Sequence, residues 1–211
     1  FRSADGGATW ELVNDGIELF NDDTTRTAPV WRMHNVHFSP DFANDDTVFS
    51  ATWRRLARSR DGGRSWELIR VGETPADTPL RLFVIEPSPD YVADRTLYVA
   101  TRQGEFYRSQ AEGDEDSWEL LSTFPDRVRS IAASPGIAED QTSFVGTVGG
   151  LYRSTDGGVT WDEADVRNVA EVTGGESDFG IQVAVSPAFP EDGVAMAATD
   201  SGLYRTTDGS S

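Results

Sequence analysis

The sequence predicts an all-β chain: a β-propeller of four-stranded antiparallel blades, about four blades' worth in this chain and part of a larger propeller or repeat array. Three observations carry that prediction. A turn-forming box ending in tryptophan recurs along the chain. A Ser-Pro corner leading into a short Thr-ended apolar run alternates with it. No segment shows helical periodicity, because apolar residues cluster in short runs or alternate, and Gly or Pro interrupts every longer window.

The boxes are Ser3-Ala4-Asp5-Gly6-Gly7-Ala8-Thr9-Trp10, Ser59-Arg60-Asp61-Gly62-Gly63-Arg64-Ser65-Trp66, a degenerate Ser109 to Trp118, Ser154-Thr155-Asp156-Gly157-Gly158-Val159-Thr160-Trp161, and a final Thr206-Thr207-Asp208-Gly209. Their first residues stand at 3, 59, 109, 154 and 206, so a constant unit carries loops of differing length. Between boxes, Ser39-Pro40 leads to Thr47-Val48-Phe49, Ser88-Pro89 to Thr96-Leu97-Tyr98, Ser134-Pro135 to Thr142-Ser143-Phe144, and Ser186-Pro187 to Val194-Ala195-Met196. Each repeat therefore offers four strands. Strand A ends in Ser-Pro, strand B is the Val-Phe-x-Ala-Thr run, strand C the Leu-Tyr-Arg-Ser run and strand D the Trp-Glu-Leu run. Small sheets repeated at this period cannot bury both faces alone, and radial stacking solves that. The resulting region is 1–211, with repeats of about 1–31 (partial), 32–79, 80–126, 127–179 and 180–211 (partial).

Within a box, Asp and Ser accept hydrogen bonds from nearby amides and paired glycines permit positive φ. The segment should close as a hairpin turn between strands C and D. Trp10, Trp66, Trp118 and Trp161 then fill the widening wedge between blades. One carboxylate per loop, with no distal Glu, argues for a turn and against a calcium site.

The repeated pattern Ser/Thr-x-Asp-Gly-Gly-x-Thr/Ser-Trp resembles the Asp box of the bacterial-neuraminidase-repeat (BNR) propellers, a group of sialidases, sortilin-type receptors, xyloglucan-degrading hydrolases and photosystem assembly factors. The resemblance covers essentially the whole chain and implies the propeller fold. It also implies that the boxes, with Ser3, Asp5, Trp10, Ser59, Asp61, Trp66, Trp118, Ser154, Asp156, Trp161 and Asp208, are structural and lie opposite the binding face. The third box departs from the pattern: Gln110 to Asp116 lacks Asp-Gly-Gly and is expected to be a longer acidic loop. Both ends of the chain fall inside a box, and the opening Phe1-Arg2-Ser3 suggests a piece of a longer array. An N-terminal strand D closing a four-bladed ring is the alternative.

Composition narrows the function. With no cysteine there is neither a thiolate nucleophile nor a zinc ribbon, and His34 and His37 are the only imidazoles. No metal and no cofactor are expected. A net charge of −18 opposes nucleic acid and anionic lipid, and all 18 basic residues are Arg. No run approaches the roughly 20 apolar residues that span a bilayer, so direct membrane insertion is not expected.

The resemblance puts the D-to-A and B-to-C connections on the binding face. Candidates there are Trp31, Arg32 and His34; Trp53, Arg54 and Arg55; Arg81, Arg102, Arg127 and Arg129; and residues 173–180. Counting back eight residues from prolines 40, 89, 135 and 187 gives Arg32, Arg81, Arg127 and Phe179. Arginines converging near a propeller mouth can fork onto a carboxylate, a sulfate or an acidic glycan, or can neutralise an acidic rim. Glu171, Glu176 and Asp178 are acid candidates by location alone.

The expected function is a non-catalytic interaction or scaffold module of an extracytoplasmic protein, secreted or at the cell surface, binding protein or carbohydrate through those loops. The location follows from the resemblance alone. Further blades or self-assembly are possible partners. The competing reading is a fragment of a glycoside hydrolase, sialidase-like or xyloglucanase-like. It needs two carboxylates roughly 5–10 Å apart in a cleft.

Overall fold

The computed structural model describes residues 1–17, 33–52, 55–72, 80–164 and 180–206. They form four antiparallel sheets, each laid down in sequence order. The first holds β1 (Met33–Phe38), β2 (Val48–Thr52), β3 (Leu56–Ser59) and β4 (Glu67–Ile69). The second holds β5 (Leu82–Pro87), β6 (Leu97–Thr101), β7 (Glu105–Ser109) and β8 (Trp118–Thr123). The third holds β9 (Val128–Ala133), β10 (Ser143–Thr147), β11 (Leu151–Ser154) and β12 (Asp162–Ala164). The fourth holds β13 (Gln182–Val185), β14 (Ala195–Thr199) and β15 (Gly202–Thr206). These are the A, B, C and D strands read from the repeats.

The innermost strands pack in the series β1, β5, β9, β13, so the sheets stand side by side along one axis. Three apolar wedges join them. Phe49 and Leu56 meet Ile85, Tyr91 and Tyr107 in the first wedge. Tyr98 and Phe106 meet Ile131, Ile137 and Val145 in the second, and Phe144 and Leu151 meet Phe189 and Ala197 in the third. Burying each such side chain contributes about 1.5–3 kcal/mol, and burial on both faces makes every residue of β2, β6 and β10 inaccessible.

The A-to-B connections each contain a single helical turn, α1 (Phe42–Asp45), α2 (Tyr91–Asp94), α3 (Ile137–Asp140) and α4 (Phe189–Asp192). Four residues are too few to show a helical period. Side chains hold these corners. In the second sheet Asp94 accepts the Ser88 hydroxyl at 2.8 Å and the Thr96 amide at 2.8 Å, and Asp45, Asp140 and Asp192 repeat the arrangement. Each helical turn ends in a left-handed residue, Asp46, Arg95, Gln141 or Gly193.

The N-terminal hairpin joins Arg2 to Glu11 and lies against the first sheet, where the Trp66 amide donates to the Asp15 carbonyl at 2.9 Å. It does not add a strand to the fourth sheet among the described residues.

Candidate functional site

Antiparallel order gives every sheet two unlike ends. At one end sit the A-to-B corners and the boxes; at the other sit the B-to-C turns and the D-to-A connections.

The boxes are closed hydrogen-bond rings. In the third sheet the Ser154 hydroxyl donates to Asp156 at 2.8 Å and accepts the Gly158 amide at 2.9 Å, while Asp156 also accepts the Thr160 hydroxyl and amide. The indole of Trp161 donates to the Gly158 carbonyl at 3.0 Å and stacks edge-on against Phe106 and Phe124 of the second sheet. The same ring forms around Asp5 and Asp61. Hydroxyl donors at Thr9 and Thr160, followed by backbone amides, push the Asp5 and Asp156 carboxyls down to about 2, and the Ser65 hydroxyl and amide hold Asp61 well below the usual carboxylate range. Every carboxylate oxygen is thus occupied by the turn itself, which is what a folding device requires.

The degenerate third box keeps this shape without its aspartate. Ser109 still accepts the Gly113 amide at 3.0 Å, and Ser117 supplies the hydrogen bond that Asp would make, at 2.6 Å. Gly113 lies beneath Trp118, as Gly158 lies beneath Trp161. The loop is longer and acidic, as expected; its acids meet the first sheet through Arg58 and Arg60, and Glu112 also pairs with Arg95 at the α2 corner of its own sheet.

At the opposite end, strand B closes with a threonine whose hydroxyl pins the next turn. Thr52 Oγ1 donates to the Arg55 carbonyl at 2.8 Å, Thr147 Oγ1 to the Gly150 carbonyl at 3.0 Å and Thr199 Oγ1 to the Gly202 carbonyl at 3.2 Å. Arg81 and Arg127 occupy equivalent positions immediately before β5 and β9. The Arg81 carbonyl accepts the Arg102 amide at 2.8 Å, and the Arg127 carbonyl accepts the Val148 amide at 3.0 Å. Backbone therefore fixes both arginines against the B-to-C turn of their own sheet. Arg129 lies over the Phe83 ring at 5.0 Å, with Gly180 packed on its side chain. Trp31, Arg32, Trp53, Arg54, Asp208, residues 165–179 and the His34 side chain lie outside the described residues.

A pair not singled out from sequence lies between the innermost strands. His37 on β1 and Glu86 on β5 hold equivalent places, three residues before their prolines, with Nδ1 3.9 Å from Oε2. Burial pushes the Glu86 carboxyl up to about 7 and the His37 imidazole down. A carboxyl that keeps its proton near neutrality can donate it.

Comparison with known proteins now has a geometry to rest on. The family model of the BNR/Asp-box repeat matches residues 152–163. Those residues are a BNR/Asp-box repeat. No curated protein matches the chain. Among solved structures, an ancestral GH74 enzyme shares 19% identity over 83% of this chain and 25% of its own, with a TM-score of 0.52. The extracellular domain of a hybrid two-component system from B. thetaiotaomicron shares 14% over 82% of this chain and 21% of its own, at 0.56. YCF48 bound to D1 peptide shares 15% over 87% of this chain and 53% of its own, at 0.56. At these identities the likeness is one of fold: the four sheets of this chain are blades of a partial β-propeller. The chain spans between about a fifth and about half of the length of these structures.

Proposed function

We propose that the chain is a non-catalytic interaction module of an extracytoplasmic or cell-surface protein, and that it grips carboxylates of a protein partner with the B-to-C and D-to-A face. The observation carrying this reading is the equivalence of Arg81 and Arg127, each anchored by its carbonyl to a B-to-C turn. Fixed backbone leaves a guanidinium less to lose on binding, and its planar fork suits a carboxylate. Arg55, Arg102 and Arg129 stand at the same end, on a chain whose net charge is −18. Guanidinium groups set at one end of the sheets offer an acidic segment paired contacts on that face of an otherwise repelling molecule. YCF48, solved with a bound peptide, supports a protein partner by analogy of fold. Among the described residues no helix is long and apolar enough to cross a membrane.

The test is binding of an extended Glu-rich peptide and of its Gln counterpart by calorimetry, to the wild-type chain and to Arg81→Glu/Arg127→Glu. The expected result is preference for the acidic peptide, weakening of about tenfold or more in the double variant, and loss at high salt. Equal binding of both peptides, or no change in the variant, overturns the reading.

Glu86 favours a second reading, a glycoside hydrolase fragment, because a raised carboxyl suits a general acid. Release of reducing sugar from xyloglucan, abolished in Glu86→Gln, would select it.

A further inference from the structure

Two side chains near Arg81 and Arg127 are turned out of their strands by the same device. In a regular strand, residues two apart share a face. Leu82 and Val84 do not: Leu82 packs in the first wedge and Val84 in the second. Val128 and Ser130 divide likewise. Val128 enters the second wedge, whereas the Ser130 hydroxyl turns to the fourth sheet, donating to the Ile181 carbonyl at 2.9 Å and accepting the Val183 amide at 3.0 Å. Pairing of β5 with β6 slips between Leu82 and Val84, and pairing of β9 with β10 slips between Val128 and Ser130. Phe83 and Arg129 are therefore bulge residues near the start of two innermost strands, and a bulge re-aims the side chain it carries.

The two re-aimed side chains meet across the boundary of the second and third sheets. The Arg129 guanidinium lies over the Phe83 ring, 5.0 Å from its centre, and both residues remain half-buried. Gly180, just before β13, closes on the arginine stem: a Cβ there would come within 2.2 Å of Arg129 Cγ. Ring and backbone together hold the guanidinium flat, with Phe83 two residues beyond Arg81 and Arg129 two beyond Arg127. A guanidinium stacks on aromatic faces through its plane and donates hydrogen bonds from its edges. It has two faces, and Phe83 takes one.

We propose that the stacked pair of Phe83 and Arg129 recognises an aromatic side chain of the protein partner, whose ring lies on the guanidinium face away from Phe83. Beyond the carboxylate grip of Arg81 and Arg127, on which this reading rests, the face then selects an acidic segment with an aromatic residue among its acids. Arginine and aromatic anchors carry much of the binding energy at protein interfaces. An arginine already stacked also has less freedom to lose on binding.

Calorimetry on the whole chain with three peptides tests this. One is an extended Glu-rich peptide with a central phenylalanine, the second has cyclohexylalanine in its place, and the third is the Gln counterpart of the first. Cyclohexylalanine keeps the size and apolarity of the ring and lacks its π face. The wild type is expected to bind the phenylalanine peptide about threefold or more tighter than the cyclohexylalanine peptide. Arg129→Met brings those two peptides to equal affinity and retains the preference for Glu over Gln, which Arg81 and Arg127 supply. Phe83→Leu, which keeps an apolar contact at the bulge, also narrows the difference between the two rings. Circular dichroism confirms that both variants fold. A pair that only staples the sheets would leave that difference unchanged in both folded variants, and this result overturns the assignment. Equal binding of the two ring peptides by the wild type, with Glu still preferred over Gln, overturns it too and leaves the carboxylate grip standing. Loss of the Glu preference in the wild type overturns both.

Discussion

The Arg58 guanidinium crosses from the first sheet to the second and donates to the Glu112 carbonyl at 2.6 Å, while its other nitrogens hold Glu67 at 2.5 Å and Asp114 at 2.8 Å. Desolvation is the largest single influence on it and lowers its pKa, yet Glu67 and Asp114 together raise it. The box is therefore a latch between blades as well as a hairpin corner. Arg2 makes the same reach to Gly62.

Removing this latch should be costly. Arg58→Met leaves the Glu112 carbonyl without its donor and leaves Glu67 and Asp114 to Arg60 alone, at 3.6 and 3.8 Å, at about 1.5–3 kcal/mol. Arg2→Met, at the more exposed N-terminal hairpin, should cost about 1 kcal/mol or less. Urea unfolding of both variants checks the order, and similar small losses would mean that the inter-blade bond contributes little.

Equivalent glycines should differ by their surroundings. Gly7 and Gly113 both have positive φ, at 91° and 81°. A Cβ on Gly7 meets only the Trp10 ring, at an ordinary 3.8 Å, whereas one on Gly113 comes within 2.8 Å of Leu56 and 2.9 Å of Leu97. Gly7→Ala should cost about 1 kcal/mol of backbone strain. Gly113→Ala adds overpacking of the first wedge, about 2–4 kcal/mol in all. Thermal melts showing equal shifts would refute the assignment of Gly113 to the wedge.

What could be read from sequence was local. Ser154, Asp156, Gly158 and Thr160 bond within five residues of one another, so the box announces itself, and strand order follows from its recurrence. The corner acids Asp45, Asp94, Asp140 and Asp192 stood six residues after each serine, but a four-residue helix carries no periodic signal. Gly113 was hidden because Ala111 stands where the aspartate belongs and Ser117, eight residues after Ser109, makes the bond instead. The bond from Arg58 to Glu112 and the meeting of His37 with Glu86 join different repeats, which only stacking brings together. The recurrence of Arg81 and Arg127 was legible; their anchoring by Arg102 and Val148 was not.

The box acids should govern acid unfolding. Asp5 and Asp156 titrate near 2 in the folded chain and near 4 when unfolded, and Asp61 is also lowered. Their stabilisation is complete above about pH 4 and is lost as pH falls through about 2. Thr160→Val removes the largest cause at Asp156, so its carboxyl midpoint, followed by carbon NMR, should rise towards 4. A wild-type midpoint already near 4 would contradict the ring of donors.

Glu86 should make stability depend on pH in the opposite sense. Its folded pKa, about 7, lies above the ordinary 4.5 because burial disfavours the charged form. Between those values the unfolded chain releases the proton and the folded chain keeps it, so stability declines as pH rises from about 4.5 to 7. His37 acts from the other side: burial lowers its pKa, so its contribution is lost as pH falls below 6.5. The two neutral groups are thus best accommodated together in the interval between. Glu86→Gln resembles the protonated side chain and cannot ionise, so the wild type should lose stability relative to this variant steadily across that interval and fall below it at pH 8. Parallel urea titrations of the two proteins at several pH values measure the difference. A difference that stays constant with pH would show that Glu86 is already ionised within the fold, with water reaching it between the innermost strands.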